Sequence, residues 1–438
     1  MAEINDIRWT KLRKLLTYAM NDVPFYRDMW TEAGVDPRRF TSPADLVHLP
    51  VTTRAALLTG QQQDGFGLSR RTDYQMTHSS GTTGPRVYLP FTRADMQVKY
   101  ASYLREFYAT GWRLGVRSAA LHYSGHPEFG GRYSGEPDRD NYVDIRSFVF
   151  RWLHQRVLLP PYPAAESGDD EVVAGWYDAL RQRPPFLLET MDFGILALWR
   201  YIEERGLPPL RIPKMIVLAT LSPDLRRRLE RAFSTEVFNR FGPHEMEGVA
   251  YECGEHAGLH LAIDSVHAEF LDDEDRPVRA GEPGRIVLTD LDSYLMPLIR
   301  YEIGDIGAFR DEPCRCGRVF PLMQDIICRT RDIFRDESGQ PLLPRPLIAA
   351  VQDEPAVRFF QLIQTAGGQI EARIVPDPAS WTDAHTTRLR AKLASLMPAG
   401  FRIDVVAIDR VQLEGNGKFS PAKALAHHRG GLESCVSL

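Results

Sequence analysis

Met215-Ile216-Val217-Leu218, an amphipathic run over residues 223–232, and Glu236-Val237-Phe238 set the architecture between them. Each short apolar run reads as a strand, and the amphipathic run between them reads as a helix. The pattern repeats upstream. Ser118-Ala119-Ala120-Leu121, within a strand candidate over residues 117–123, and Phe186-Leu187-Leu188 alternate with helical stretches at 170–182 and 192–204. Strand and helix in alternation predict an α/β layered fold. Downstream, residues 265–309 lose the helices and read as a β subdomain. After about residue 332 the pattern restarts. Val357 to Leu362 and Ile370 to Val375 flank Gly367-Gly368 as a hairpin, residues 381–397 place Leu389, Leu393 and Leu396 on one helical face, and Ile403 to Ala407 closes a small α+β domain.

At the other end, residues 1–60 read as helices with polar turns, with Leu12, Leu15 and Leu16 on an apolar face. Val23-Pro24 interrupts them, because proline disfavours helix at the residue before it. Residues 74–91 read as strand, glycine-rich turn, strand. Thr92 with Asp95 forms a capping signal for a helix carrying Met96, Tyr100, Tyr103, Leu104 and Phe107 on one face.

The 438 residues, 43% hydrophobic and 25% charged, fit a globular chain of two or three domains. A net charge of −5 gives no electrostatic case for nucleic acid or an anionic membrane. No apolar run approaches the ~18 residues of a membrane span, and Met1 to Asp6 has no signal-peptide pattern. Five cysteines suggest a reducing compartment, with thiols free or on a metal, so a cytoplasmic enzyme is expected.

Five segments carry chemistry. His78-Ser79-Ser80-Gly81-Thr82-Thr83-Gly84-Pro85-Arg86 crowds hydroxyls and glycines between two strands, which suits a nest for phosphate oxygens, although it lacks the Gly-Lys-Ser/Thr ending of a Walker A loop. Phe241-Gly242-Pro243-His244-Glu245 follows a strand and offers a carboxylate to Mg²⁺. His244-Glu245 also begins a zincin pattern, but Gly248 stands where the second histidine is needed. Asp305, in Arg300-Tyr301-Glu302-Ile303-Gly304-Asp305, can accept hydrogen bonds from ribose hydroxyls. Arg329-Thr330-Arg331-Asp332 lies where the pattern restarts, and Gly415-Asn416-Gly417-Lys418 presents a lysine on a turn.

In this order, the five segments resemble the adenylate-forming (acyl-CoA synthetase) superfamily, and within it the phenylacetate–CoA ligase-like family. Val23-Pro24-Phe25-Tyr26 and Leu49-Pro50-Val51-Thr52-Thr53-Arg54 are similar to its N-terminal region. The resemblance implies an adenylation domain over residues 1–330 and a mobile C-terminal domain over 331–438, hinged near Arg331. It implies ATP on the Ser79 to Gly84 loop, adenine on Phe241 and Gly242, ribose on Asp305 and Arg329, Mg²⁺ on Glu245, and Lys418 assisting adenylation. The expected reaction joins an aromatic carboxylic acid to AMP with release of pyrophosphate, then transfers the acyl group to coenzyme A. A carrier protein or an amine is the alternative acceptor, and a non-catalytic nucleotide-binding relative the alternative class. A homodimer is compatible with this reading. His244 stands where the family has Thr or Ser, Cys328 where it has Gly, and Arg331 where it has an acid. Leu218-Ala219-Thr220-Leu221-Ser222-Pro223 lacks the usual acidic residue.

Two further expectations concern metal and substrate. Cys253, His260, Cys314 and Cys316 supply the donors zinc prefers, with His256 as the alternative fourth ligand, and some family members hold a structural zinc on a similar pattern. His122, Tyr123 and Glu247 are expected to line the acyl pocket. A carboxylate or imidazole there favours an amino- or hydroxy-substituted benzoate over plain phenylacetate.

Overall fold

The computed structural model describes residues 2–71, 74–78, 87–121, 155–160, 170–218, 221–243, 245–246, 248–411 and 420–425. Helix α1 (Ala2–Asp22) buries Leu12, Leu15 and Leu16. Val23 is extended, and Pro24 opens α2 (Pro24–Glu32), where its missing N–H costs nothing. In α3 (Arg54–Gln62), the Thr53 hydroxyl accepts the Ala56 N–H at 3.2 Å. Strands β1 (Gln75–His78) and β2 (Tyr88–Phe91) pair antiparallel. Helix α4 (Arg93–Ala109) starts with the expected box: Thr92 accepts from the Asp95 N–H, and Asp95 accepts from the Thr92 N–H at 2.7 Å. Tyr103 and Phe107 are buried on α4, but Tyr100, expected beside them, is 38% exposed. The helix rests on the sheet only along its C-terminal half. The Met96 side chain lies outside the described residues.

The large sheet is built from β3 (Ser118–Leu121), β4 (Arg156–Leu158), β5 (Leu187–Met191), β6 (Lys214–Leu218) and β7 (Glu236–Phe241), parallel in the order β4-β3-β5-β6-β7. Helices α5 (Asp170–Gln182), α6 (Asp192–Glu204) and α7 (Pro223–Phe233) cover one face, where Trp176, Leu198 and Leu229 meet Leu188, Met215 and Val237. The other face sets Leu187, Ile216 and Phe238 against Tyr103, Phe107 and Trp112. Burial on both faces explains the unbroken apolar runs in the sequence. Beyond β7 the sheet turns antiparallel through β8 (Ala250–Glu252) and β9 (Leu259–Leu261).

The expected β subdomain pairs β10 (Val266–Leu271), β11 (Gly284–Asp290) and β12 (Tyr301–Gly307) antiparallel. Short β13 (Phe309–Arg310) and β14 (Leu322–Met323) extend the large sheet past β9, and β15 (Cys328–Arg329) returns to pair with β12. Arg300 binds this unit to the N-terminal segment. Its guanidinium grips Glu269 at 2.9 and 3.0 Å and donates to the Leu49 carbonyl. The Thr52 N–H donates to the Arg300 carbonyl at 2.8 Å, and the Glu302 N–H donates to the Thr52 carbonyl at 3.0 Å.

The chain then forms β16 (Phe334–Arg335), β17 (Pro341–Leu342), α8 (Arg345–Gln352), β18 (Val357–Ala366), β19 (Gln369–Pro376), α9 (Asp383–Ala394), β20 (Arg402–Ala407) and β21 (Ala422–Lys423). The sheet order is β20-β19-β18-β21, and Phe360, Leu362, Ile374, Leu389 and Leu393 lie in a separate core. Helix α9 is shorter than expected, and Leu396 lies beyond it, 38% exposed. This unit touches α6 and α7 through polar groups: Arg358 pairs with Glu204 at 2.5 Å, and the Ser222 hydroxyl donates to Asp353 at 2.6 Å. No helix among the described residues is long and apolar enough to cross a membrane.

Candidate active site and metal centre

β7 has a parallel neighbour on one side and an antiparallel one on the other. Its last residue, Phe241, is 9% exposed. Gly242 and Pro243 follow, and the Met246 N–H donates to the Pro243 carbonyl at 2.9 Å, closing a turn that carries Glu245. Gly248 has φ +72°, and a Cβ there would sit 2.6 Å from the Cβ of Ser102. The position is therefore closed to histidine, which removes the zincin alternative on steric grounds.

Asp305 on β12 stands directly opposite Arg329 on β15, with 3.8 Å between carboxylate and guanidinium. Burial pushes the Asp305 carboxyl up to about 6. Arg329 opposes that rise, while the negative charges of Glu245 and Asp332 reinforce it. The antiparallel register thus makes neighbours of two residues that are distant in sequence, and Glu245 is close enough to act on them. Cys328 lies opposite Ile306 in the same ladder. Arg331 sits in the turn just after it, beside Asp332 at 3.5 Å.

Ser79, Ser80, Gly81, Thr82, Thr83, Gly84, His122, Tyr123, His244, Glu247 and Lys418 lie outside the described residues. Two residues that carried no expected role do reach the site. An Arg54 guanidinium nitrogen is 3.9 Å from a Glu245 carboxylate oxygen. Tyr301 is buried at the start of β12, hydrogen-bonded by Arg54, and its hydroxyl is pushed well above the usual range by burial and by Glu245.

Beneath the end of the parallel sheet lies a buried charge network. Glu189 on β5 pairs with Arg156 on β4 at 2.5 Å and with Arg240 on β7 at 2.6 Å. Arg240 also pairs with Glu106 on α4 at 3.0 Å. Tyr103 donates to Glu189, and Arg156 donates to the Tyr103 oxygen at 2.6 Å. Among the described residues, the two carboxylates and two guanidinium groups balance in charge, and Arg240 adjoins Phe241.

The cysteine–histidine cluster is compact. The ligand atoms of Cys253, His260, Cys314 and Cys316 all lie within 4.8 Å of one another. The Cys253 and Cys314 sulfurs are 3.6 Å apart, and His260 Nε2 is 3.3 Å from Cys253 and 3.4 Å from Cys316. Zinc–sulfur bonds of about 2.3 Å in a tetrahedron put sulfurs about 3.8 Å apart, so the donor set fits. His260 Nδ1 lies 3.0 Å from the Phe320 carbonyl, to which it donates, leaving Nε2 as the free lone pair. Burial pushes the Cys253 thiol up to about 12, a cost that a bound cation removes. His256 is not the fourth ligand. It is held between Glu236 at 3.0 Å and Glu252 at 3.2 Å.

No family model matches the chain. A phenylacetate-coenzyme A ligase of Thermus thermophilus is 26% identical over 371 residues, covering 82% of this chain and 78% of that one. The solved structure of 2-hydroxyisobutyryl-CoA ligase, in the postadenylation state with 2-HIB-AMP, superposes with a TM-score of 0.79 at 19% identity, covering 98% of this chain and 90% of that one. An anthranilate CoA ligase with anthranoyl-AMP superposes with a TM-score of 0.57 at 15% identity, covering 78% and 64% respectively. The fold is therefore that of the adenylate-forming CoA ligases, as the motif order implied. Over most of its length the chain is similar in sequence to phenylacetate-coenzyme A ligases.

Proposed function

We propose that the chain is an AMP-forming acid–thiol ligase acting on an aromatic carboxylic acid. One observation supports it above the others: Asp305 and Arg329 face each other across one ladder, with Glu245 within electrostatic reach at the end of β7. In the first step a carboxylate oxygen of the acid attacks the α-phosphorus of ATP. The bond from that phosphorus to the bridging oxygen breaks, and pyrophosphate leaves. In the second step the thiol of coenzyme A loses its proton, its sulfur bonds to the acyl carbon, and AMP departs.

Each residue has an assigned part. Asp305 accepts from the ribose hydroxyls and Arg329 steadies them, Phe241 and Gly242 border the adenine, and Ser79 to Gly84 hold phosphate oxygens. Glu245 would hold a magnesium ion, which when bound supplies positive charge beside the phosphates. Lys418 stabilises charge developing on the carboxylate and phosphate oxygens in the first transition state. It sits on a C-terminal domain, residues 331–438, that moves against residues 1–330. His244 meets the acyl-adenylate where relatives place a hydroxyl. Cys253, His260, Cys314 and Cys316 would hold a structural zinc, whose chemistry is to cross-link the edge of the large sheet.

The substrate reading is a substituted benzoate. His122, Tyr123 and Glu247 border the pocket, and an amino or hydroxyl substituent supplies the partner these groups need. Pyrophosphate release with aminobenzoates, hydroxybenzoates, benzoate and phenylacetate, each with and without coenzyme A, tests all parts together. Release with one acid and thioester formed only with coenzyme A is the expected result. A preference for phenylacetate that survives Glu247→Gln overturns the polar pocket. Release without any thioester transfers the reading to a carrier-protein or amine acceptor, and no release with any acid overturns the ligase.

A further inference from the structure

We infer that Arg54 is a nucleotide-phosphate ligand, supplied to the site by the N-terminal segment. The inference rests on the ligase reading above. Arg54 is held firmly in place. The Thr53 hydroxyl caps α3 and sets Arg54 as its first residue. One residue earlier, Thr52 is fully buried, its hydroxyl donating to the Ile299 carbonyl at 2.7 Å and its backbone bonded on both sides to the segment opening β12. The side chain then reaches two groups of the site, the Tyr301 hydroxyl and the Glu245 carboxylate.

The neighbours decide which anion it takes. Glu245 would hold the expected magnesium, and Tyr301 lies on the strand of Asp305, the proposed ribose acceptor. Arg54 therefore stands on the nucleotide side, between the ribose strand and the metal carboxylate. Its contact with Glu245 is loose: 3.9 Å is an ion pair without a hydrogen bond. The Arg54 side chain is 29% exposed, so part of it lies open to an incoming anion, although its Nε is buried. A cation held by Glu245 would weaken its hold on Arg54, whose planar fork can bind phosphate oxygens through two parallel hydrogen bonds. Charge balance agrees, because ATP must approach two carboxylates, Glu245 and Asp305, and a guanidinium beside Glu245 offsets part of their repulsion.

Calorimetric titration of ATP and of adenosine, both without any acid, tests this on the full chain with Arg54→Ala and Arg54→Lys. Losing a charged hydrogen-bonding partner costs on the order of tenfold to a hundredfold in affinity. ATP binding should weaken by that amount in Arg54→Ala, while adenosine binding stays as in the wild type. Arg54→Lys keeps the charge without the fork and should fall between, which covers the case in which the alanine variant fails to fold. A purely structural role would weaken both ligands alike, and that result overturns the inference. ATP affinity unchanged in both variants, with a raised KM for the acid, would assign Arg54 to the substrate carboxylate and overturn it too. A wild-type chain that binds no ATP overturns the ligase reading itself, whereas an ATP-binding wild type with indifferent variants removes only this inference.

Discussion

If Cys253, His260, Cys314 and Cys316 hold zinc as proposed, removing the metal should loosen one edge of the large sheet without unfolding the rest. Cys314 and Cys316 lie on the loop between β13 and β14, while Cys253 and His260 lie at β8 and β9. β14 is two residues long, pairs with β9, and is followed only by β13 at the sheet edge. So short a strand contributes little on its own, and the small apolar cluster of Cys253, Cys314 and Leu322 adds little more. A cross-link closing a loop of about 60 residues lowers denatured-chain entropy by about 14 cal/mol/K, or about 4 kcal/mol at 25 °C. Over the roughly 330 residues proposed as the adenylation domain, the unfolding entropy is about 0.7 kcal/mol/K, so the melting temperature should fall by about 6 °C. Scanning calorimetry with and without a zinc chelator, and on Cys314→Ser, reads that shift. Hydrogen exchange at the Leu261 N–H, bonded to the Pro321 carbonyl at 2.8 Å, reads the local loosening. Protein purified without chelator that holds well under one zinc per chain, or that melts unchanged with chelator, would refute the reasoning.

Lys418→Ala should lower adenylate formation by on the order of 10²-fold while still transferring from preformed acyl-adenylate, as rapid-quench assays of the two half-reactions would show; equal losses in both would assign the lysine elsewhere. Asp305 is raised to about 6 from 3.8, so the folded apo chain favours its protonated form and loses stability as pH rises between those values. Ribose hydroxyls need the ionised acceptor, so adenosine affinity should climb as pH passes about 6 and level off above it. In Asp305→Asn that slope should vanish, and a slope surviving the substitution would exclude Asp305 as its source. Gly248→Ala should cost on the order of 1–3 kcal/mol, since the backbone is left-handed and the new Cβ meets Ser102; an unchanged melting temperature would contradict the close approach.

Local rules explain what the sequence could disclose. The strands at 214–218 and 236–241 were legible because burial on both faces leaves continuous apolar runs, and Thr92 with Asp95 announced a helix start through bonds only three residues apart. Tyr100 misled because helical period says which residues share a face, not how far a neighbouring layer extends over it. The sequence names His260, with His256 as the alternative, and the fold decides between them. Both histidines follow Cys253 within seven residues, His256 in the loop and His260 on β9, and only the folded chain shows His256 taken by Glu236 and Glu252. Asp305 and Arg329 could be named from motif order, but their pairing is a property of strand register. Arg54 had no local signal, because its meeting with Glu245 depends on an N-terminal segment clamped to β12 through Thr52 and Arg300.

The buried quartet of Glu106, Arg156, Glu189 and Arg240 limits how this chain can diverge. Losing any one charge strands an opposite charge away from water, at a cost of about 3–5 kcal/mol, whereas exchanging oppositely charged members for apolar ones of similar volume is often neutral. Single substitutions there meet a barrier that joint ones avoid. Variation among relatives should therefore occur in concert, with an acid and a base disappearing together from β5 and its neighbours. A library that varies this part of the sheet will recover folded variants only if it randomises these four positions as one block.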